Sequence, residues 1–484
     1  MAVSPPAARF VQGSTMRHVV VMASTGAVGL IAVFVVDLFN LFYIALLGER
    51  PLAAAIGFAG AIGFLQLSVA IGLMIGLGAV VSREIGAGAI AEARDVAASG
   101  LLTMIAVLAL VAAGTVVFLG PLLDLVGAVG EARLQARQFV TIVAPSLPLA
   151  AAGMGCAALL RAVGDARRAL DVTLYAALAA AVLDPLLIFG LHLGLEGAAI
   201  STVLSRVVLV FVGWDHAFRR RDLVGWPRAA TALVEMRRVL SVAGPAILTN
   251  LATPVGALYV TRSMAAFGPS AVAGQASIDR LTPCAFGLVY ALSAAIGPIL
   301  AQNLGAGRFD RVRMALRDAL LFALLAVLGA WAILFVSQGP IGRVLTPGGE
   351  AAALVRLFCT FLAGSFLFTG ALFVANAAFN NLGFPLLATL FNWGRATLGT
   401  IPLVSFGRGW GPEGVLIGQA AGSILFGTAA VFVAFRVIGR LGDPGTALGH
   451  GALAVSGASS HAAMAAVATH PSPQREPETV DADA

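Results

Sequence analysis

The feature that most constrains this chain is a recurrence: long apolar stretches follow one another along nearly its whole length, separated by short polar turns. A helix rising 1.5 Å per residue needs about 20 apolar residues to cross the hydrocarbon core of a bilayer. Twelve stretches meet that length, at roughly 19–47, 52–81, 97–120, 138–162, 169–191, 195–214, 239–266, 270–301, 316–337, 353–380, 385–406 and 413–435, with ends soft by several residues. Only 11% of the residues are charged and 59% are hydrophobic, against roughly 25% charged in an average soluble domain. The expected fold is an all-α integral membrane protein.

The net charge of +6 has a location. Its thirty basic residues are all arginine, and they cluster after the even-numbered spans: Arg83 and Arg94; Arg161, Arg167 and Arg168; Arg219 to Arg238; Arg308 to Arg317; Arg436 and Arg440. The positive-inside rule then places those loops and both termini in the cytoplasm. The basic balance is a topology signal rather than a nucleic-acid footprint, and the membrane is expected to be a bacterial inner membrane. The first span lacks a small-residue cleavage site after a short apolar core, so it reads as a retained helix. Cys156, Cys284 and Cys359 stand alone in apolar runs and read as buried apolar residues. The six histidines lie at ends, loops or the tail, and no metal or nucleophile motif occurs, so neither an enzyme, a metal nor a cofactor is expected.

An internal repeat organises the spans. "REIGAGAIAEAR" (83–94) aligns with "QNLGAGRFDRVR" (302–313) at a spacing of 219, and the same spacing pairs Gly164 with Gly383. After a two-residue deletion, "DPLLIFG" (184–190) matches "IPLVSFG" (401–407). Each half carries six spans, an even number, so the halves are parallel repeats, an arrangement typical of transporters that rock one bundle against another. The chain divides into a cytoplasmic N-terminal segment (1–16), an N-lobe of helices 1–6 (17–218), a cytoplasmic hinge-like linker (219–238), a C-lobe of helices 7–12 (239–440) and a disordered cytoplasmic tail (441–484).

Functional residues should stand out where the copies differ. Asp184 aligns with Ile401 while Pro185 aligns with Pro402, so the proline belongs to the architecture and the acid does not. Asp37 aligns near Gly256 or Ala257. Helical rise puts both acids about 15 Å in from the outer end of their helices. An acid at such depth costs about 2.5–3.5 kcal/mol, and such groups usually face a cavity and carry ions or protons. Two plainer readings stand beside this one. Asp184 followed by Pro185 could cap a restarted helix, and Asp37 could form a core hydrogen bond with Asn40 one turn away. Asp279 is a third deep acid, for which a structural ion pair with Arg262 or with another helix is expected. Arg280 and Arg395 also lie deep, without an assigned role. Gln66, Tyr175, Asn250, Tyr259 and Gln275 are candidate substrate-lining residues, with interhelical hydrogen bonding as the plainer role of each.

With "DLFNLFYIALLG", "VSREIGAGAIAEAR", "LRAVGDARRALDV", "VLDPLLIFGLHLGLEGAAISTVLS" and "ILAQNLGAGRFDRVR" on the page, the chain resembles the multidrug and toxic compound extrusion (MATE) family over about residues 17–440. The resemblance implies twelve helices in two six-helix lobes around a V-shaped cavity, with efflux driven by an inward proton or sodium gradient. In the DinF-like branch, acids matching Asp37 and Asp184 couple proton movement. The other bacterial branch adds an acid in the tenth helix, and the corresponding region near Ala371 has none. Two departures stand out. Ala180 occupies the position one turn before the helix-five acid, where the family often has Asn, and Gly26 and Gly29 replace the proline often found in helix one.

The function expected is antiport, without an enzymatic step: a monomer in the bilayer exporting an amphipathic, cationic organic compound, with protonation of Asp37 and Asp184 releasing the cargo. Sodium coupling, or a flippase moving a lipid-linked sugar, are the alternatives; a channel or scaffold would not need first-lobe acids.

Overall fold

In the computed structural model, the described residues are 8–46, 50–346 and 348–441. Within them the side chains of 37, 38, 41, 42, 44–46, 50, 51, 53, 229, 230 and 344 are outside the description, so Asp37 is placed on a helix but its contacts are not, and residues 442–484 of the expected tail lie outside it altogether.

The apolar stretches fold as helices because only a hydrogen-bonded backbone is tolerable in hydrocarbon. The N-lobe comprises α1 (Thr15–Leu46), α2 (Arg50–Gly86), α3 (Ile90–Val117), α4 (Gly130–Ala162), α5 (Ala166–Gly190) and α6 (Gly194–Arg220). The C-lobe comprises α7 (Ala229–Ala265), α8 (269–305), α9 (Phe309–Leu345), α10 (349–382), α11 (385–407) and α12 (Gly411–Leu441). The final apolar segment, Pro385–Leu441, is 57 residues long and makes two crossings. It folds back at Gly411, which has φ of 79°. Beside that turn the helices nearly touch, for a Cβ on Gly407 would lie 2.1 Å from the Gly414 carbonyl oxygen.

Several helices are broken, and their freed carbonyls are satisfied by side chains. Pro145 interrupts α4 at residues 144–146, because proline supplies no N–H and clashes with the preceding turn. Arg206 Nη1 of α6 answers with bonds of 3.1 Å to the Val143 carbonyl and 2.7 Å to Ser146 Oγ. In α10 the matching break follows Thr360, whose carbonyl accepts from Trp331 Nε1 at 3.1 Å. α8 breaks at Phe286, and α5 and α11 each pass through a π-turn, at Leu186–Gly190 and Arg395–Gly399.

The lobes meet mainly through α1 and α2 on one side and α7 and α8 on the other. Their arginine-rich ends close with the two-fold reciprocity that the 219-residue spacing implies. A Cβ on Gly86 would lie 2.1 Å from the Gln302 carbonyl oxygen, and one on Gly305 would lie 2.1 Å from that of Arg83. Arg83 Nη2 donates to the Asn381 carbonyl at 2.9 Å, and Gln302 Nε2 donates to the Ala162 carbonyl at 2.6 Å. Each lobe therefore latches onto the backbone of the other at equivalent places. Further along α2, Gly72 packs on Ile247 and Gly76 on Val239 and Ala243, whereas Gly57, Gly60 and Gly63 meet nothing. Contact is thus concentrated toward the arginine-rich end. Phe10, ahead of α1, is buried there: its N–H donates to Gln302 Oε1 at 3.0 Å, and its carbonyl accepts from Arg311 Nη2 at 3.0 Å. Its ring lies against Gly164 of the N-lobe.

The linker is shorter than the sequence suggests. α7 begins at Ala229 and α6 runs to Arg220, so helix occupies most of 219–238. Residues 221–228 are pinned to the N-lobe: Leu223 and Val224 are buried, Arg221 pairs with Asp165, Arg94 with Asp222, and Arg228 with Asp95 at 3.3 Å. Burial alone would raise the Asp165 carboxyl, but the Arg221 hydrogen bond and charge, with Arg168, outweigh it and hold it below the usual carboxylate range.

Two outcomes are expected. Gly86→Val forces a side chain into the opposite backbone, and overpacking of this kind costs about 1–3 kcal/mol. Hydrogen exchange at residues 8–14 and 299–305 should then accelerate about tenfold while the protein stays monodisperse. For Asp165, a folded-state pKa below the unfolded value of about 3.9 means its contribution is complete above pH 4 and fades as pH falls through the folded value. Asp165→Asn should loosen the linker at neutral pH by about 1–3 kcal/mol, read as faster tryptic cleavage at Arg219–Arg228, and the wild type should match it only in strong acid.

Candidate functional site

Asp184 is 1% exposed, near the end of the regular part of α5. The helix does not restart there. α5 continues through Pro185, with φ −65° and ψ −33°, into the π-turn at Leu186–Gly190. The capping alternative is therefore set aside: the wider turn accommodates the proline, and Asp184 remains a helix-interior residue. Asn40 of α1 donates through Nδ2 to Asp184 Oδ2 at 3.2 Å, joining the first and fifth helices. Ser201 of α6, fully buried, adds its hydroxyl close to the same carboxylate without a well-formed hydrogen bond. The result is a carboxylate with weak polar support and no arginine partner among the described residues, a group that can exchange a proton or hold a cation. Asp37 lies on α1 three residues before Asn40, with its side chain outside the described residues.

The other residues singled out in the sequence scatter. Gln66 bonds Thr115 at 3.0 Å, tying α2 to α3. Asn250 donates to the Ala246 carbonyl of its own helix at 2.8 Å. Tyr259 meets Ser405 across α7 and α11. Tyr175 is 52% exposed. A surface depression of about 290 Å³ lined by Leu52, Gln135, Gln138 and Glu196 includes none of these residues, nor Asp184.

The Asp279–Arg262 ion pair is not formed. Asp279 Oδ1 instead accepts from Gln275 Nε2 at 2.8 Å, one turn away on α8. Arg262 sits three residues from the end of α7 and is exposed, so its long side chain can reach the aqueous boundary, which a buried pair would forbid.

One constellation escaped the sequence reading. The Tyr290 hydroxyl lies within electrostatic reach of both Arg395 and Asp279. Tyr290 also packs on Phe366 and Phe373, with ring centroids 5.7 and 5.4 Å apart, and Phe366 stacks on Phe286 at 4.1 Å. Tyr290 and Phe373 keep part of their surface free while Phe286 and Phe366 are buried behind them. The signal available in advance was Arg395 itself, a charge in the middle of an apolar span. Among the described residues no cluster of three or more metal-ligating side chains occurs.

The comparisons with known proteins fit this geometry. The MatE family profile matches residues 25–186 and 245–404, one copy in each lobe. A protein of Shewanella oneidensis named "FAD transporter" is 30% identical over 431 residues, 86% of this chain and 93% of that one. Among solved structures, the Vibrio cholerae MATE transporter VcmN in its bent form superposes with a TM-score of 0.81 at 24% identity, over 88% of this chain and 97% of that one. A MOP superfamily transporter from Pyrococcus furiosus reaches 0.85 at 18% identity, over 92% and 100%.

Proposed function

The chain belongs to the MatE family of multidrug and toxic compound extrusion transporters, and on that premise we propose that it is a proton-driven antiporter exporting amphipathic organic compounds. The observation that carries the proposal is the Asn40–Asp184 contact of 3.2 Å. It places a nearly unsupported carboxylate in the N-lobe, at a position where the C-lobe has Ile401. In this reading the arginine-rich end and both termini face the cytoplasm of a bacterial cell, and the closure between Gly86 and Gly305 is the inner gate. Protonation of Asp184 and Asp37 from outside weakens the N-lobe's hold on cargo, and deprotonation inside restores it. The transporter works as a monomer, with the proton as its coupling ion and no bound cofactor.

The cargo class has two readings. Apolar walls and paired acids suit amphipathic cations. The relative named "FAD transporter", matched over 93% of its length, favours a flavin dinucleotide as a second cargo, an anion carrying planar rings. A flippase acting on lipid-linked sugars is the further alternative.

Reconstitution tests the coupling. In vesicles with an imposed pH gradient, ethidium movement should fall at least about tenfold in Asp184→Asn and in Asp37→Asn. Equal movement with and without the gradient would overturn proton antiport. Movement driven by a sodium jump at fixed pH would reassign the ion.

A further inference from the structure

An arginine held in the middle of a membrane helix needs a reason. Arg206 has one, because its guanidinium satisfies the carbonyl and hydroxyl at the α4 break. Arg395 has none inside the protein. Among the described residues it forms no side-chain hydrogen bond and no ion pair, and its buried Nε is without a partner. It sits at the first residue of the α11 π-turn, where the helix widens. Twelve residues of helix separate it from Gly407, a depth of about 18 Å. Asp279 lies ten residues, about 15 Å, from the start of α8, so the two belong to one layer, and Tyr290 stands within reach of both.

The charge in this layer is divided by lobe. Where the N-lobe has its unpaired acid, the C-lobe carries Arg395 and exposed Arg280 against one acid, Asp279, whose Oδ1 already accepts from Gln275. Within electrostatic reach of Arg395, the half-buried ring of Tyr290 packs on that of Phe373, with the Phe286–Phe366 stack behind them. A guanidinium with free donors beside an aromatic surface is complementary to a planar ring system bearing a phosphate or carboxylate.

We propose that this C-lobe constellation is a cargo subsite, in which Arg395 binds the phosphate or carboxylate of an aromatic anion and Tyr290 and Phe373 hold its ring. The subsite deepens the transport function proposed above and rests on it. It assigns the anionic group of the cargo to the C-lobe, while the N-lobe carboxylates keep the coupling role. Arg280, next to Asp279 in the same layer and exposed, supplies attraction rather than contact.

Riboflavin and riboflavin 5′-phosphate share a ring and differ by one phosphate, so their binding to purified full-length protein in zwitterionic-lipid nanodiscs, read by flavin fluorescence at fixed pH, isolates the Arg395 contribution. The wild type should bind the phosphate form about tenfold more tightly. Arg395→Met should erase that preference, and Arg395→Lys should retain part of it. Because Arg395 supports no other group, Arg395→Met should melt no lower than the wild type. A preference that survives in Arg395→Met, or is missing from the wild type, overturns the subsite. So does a melting temperature several degrees lower, which would give Arg395 a structural role. Displacement of the phosphate form by nanodiscs containing phosphatidylglycerol, abolished by Arg395→Met, would make a lipid headgroup the occupant and remove the cargo assignment. These readings need no ion gradient. Failure of proton-driven ethidium transport with the phosphate preference intact would sink the coupling reading alone.

Discussion

A helix backbone can approach another as closely as Gly86 approaches Gln302, and Gly305 approaches Arg83, only where one of the two residues lacks a side chain, and the joining of the two lobes depends on that approach. The glycines bring the ends of α2 and α8 within reach of each other. That proximity lets Arg83 and Gln302 each find a carbonyl on the far lobe. Moving along α2, close backbone approach persists from Gly86 through Gly76 and Gly72, and nothing lies against Gly63, Gly60 and Gly57.

Much of this was legible in the residues. The number of crossings follows from length and hydropathy, and the pairing of the lobes from a spacing that returns in space as Gly86 on Gln302 and Gly305 on Arg83. Asp184 announced itself because the second copy has isoleucine there. What stayed hidden was rotation about the helix axis. Helices that are apolar on every side carry no stripe from which to read which face is inward. Asp279 was therefore matched with the wrong partner, and for Gln66, which bonds Thr115, the plainer reading as an interhelical hydrogen-bonding residue is the one the structure shows. The continuation of α5 through Pro185 was equally unreadable, since a π-turn and a helix restart follow the same dipeptide.

The two lobes share a fold while dividing the chemistry. Duplication supplies matched breaks in α4 and α10, whereas the π-turns fall at different places, Leu186–Gly190 of α5 aligning with 403–407 and not with Arg395–Gly399 of α11. Into the two lobes the sequence places different polar groups at non-equivalent depths of the fifth and eleventh helices: an acid with asparagine support in the first, and in the second an arginine whose Nε has no partner, within electrostatic reach of Tyr290. A helix distortion costs backbone hydrogen bonds wherever it occurs, so it is an economical place to seat a group that must reach out of the helix.

Phe10 gives the molecule an asymmetry that duplication could not. The segment ahead of α1 belongs by sequence to the N-lobe, yet Gln302, Asn303 and Arg311 of the C-lobe hold its backbone. The segment that leads into the first helix of one lobe is therefore already tethered to the other. Cargo fused ahead of residue 8, whether an affinity tag or a fluorescent protein, would hang from this seam and not from an idle end. A label placed before α1 would load that seam, and one placed just beyond α12 would sit close to it, since Leu441 is buried in the same core cluster as Phe10.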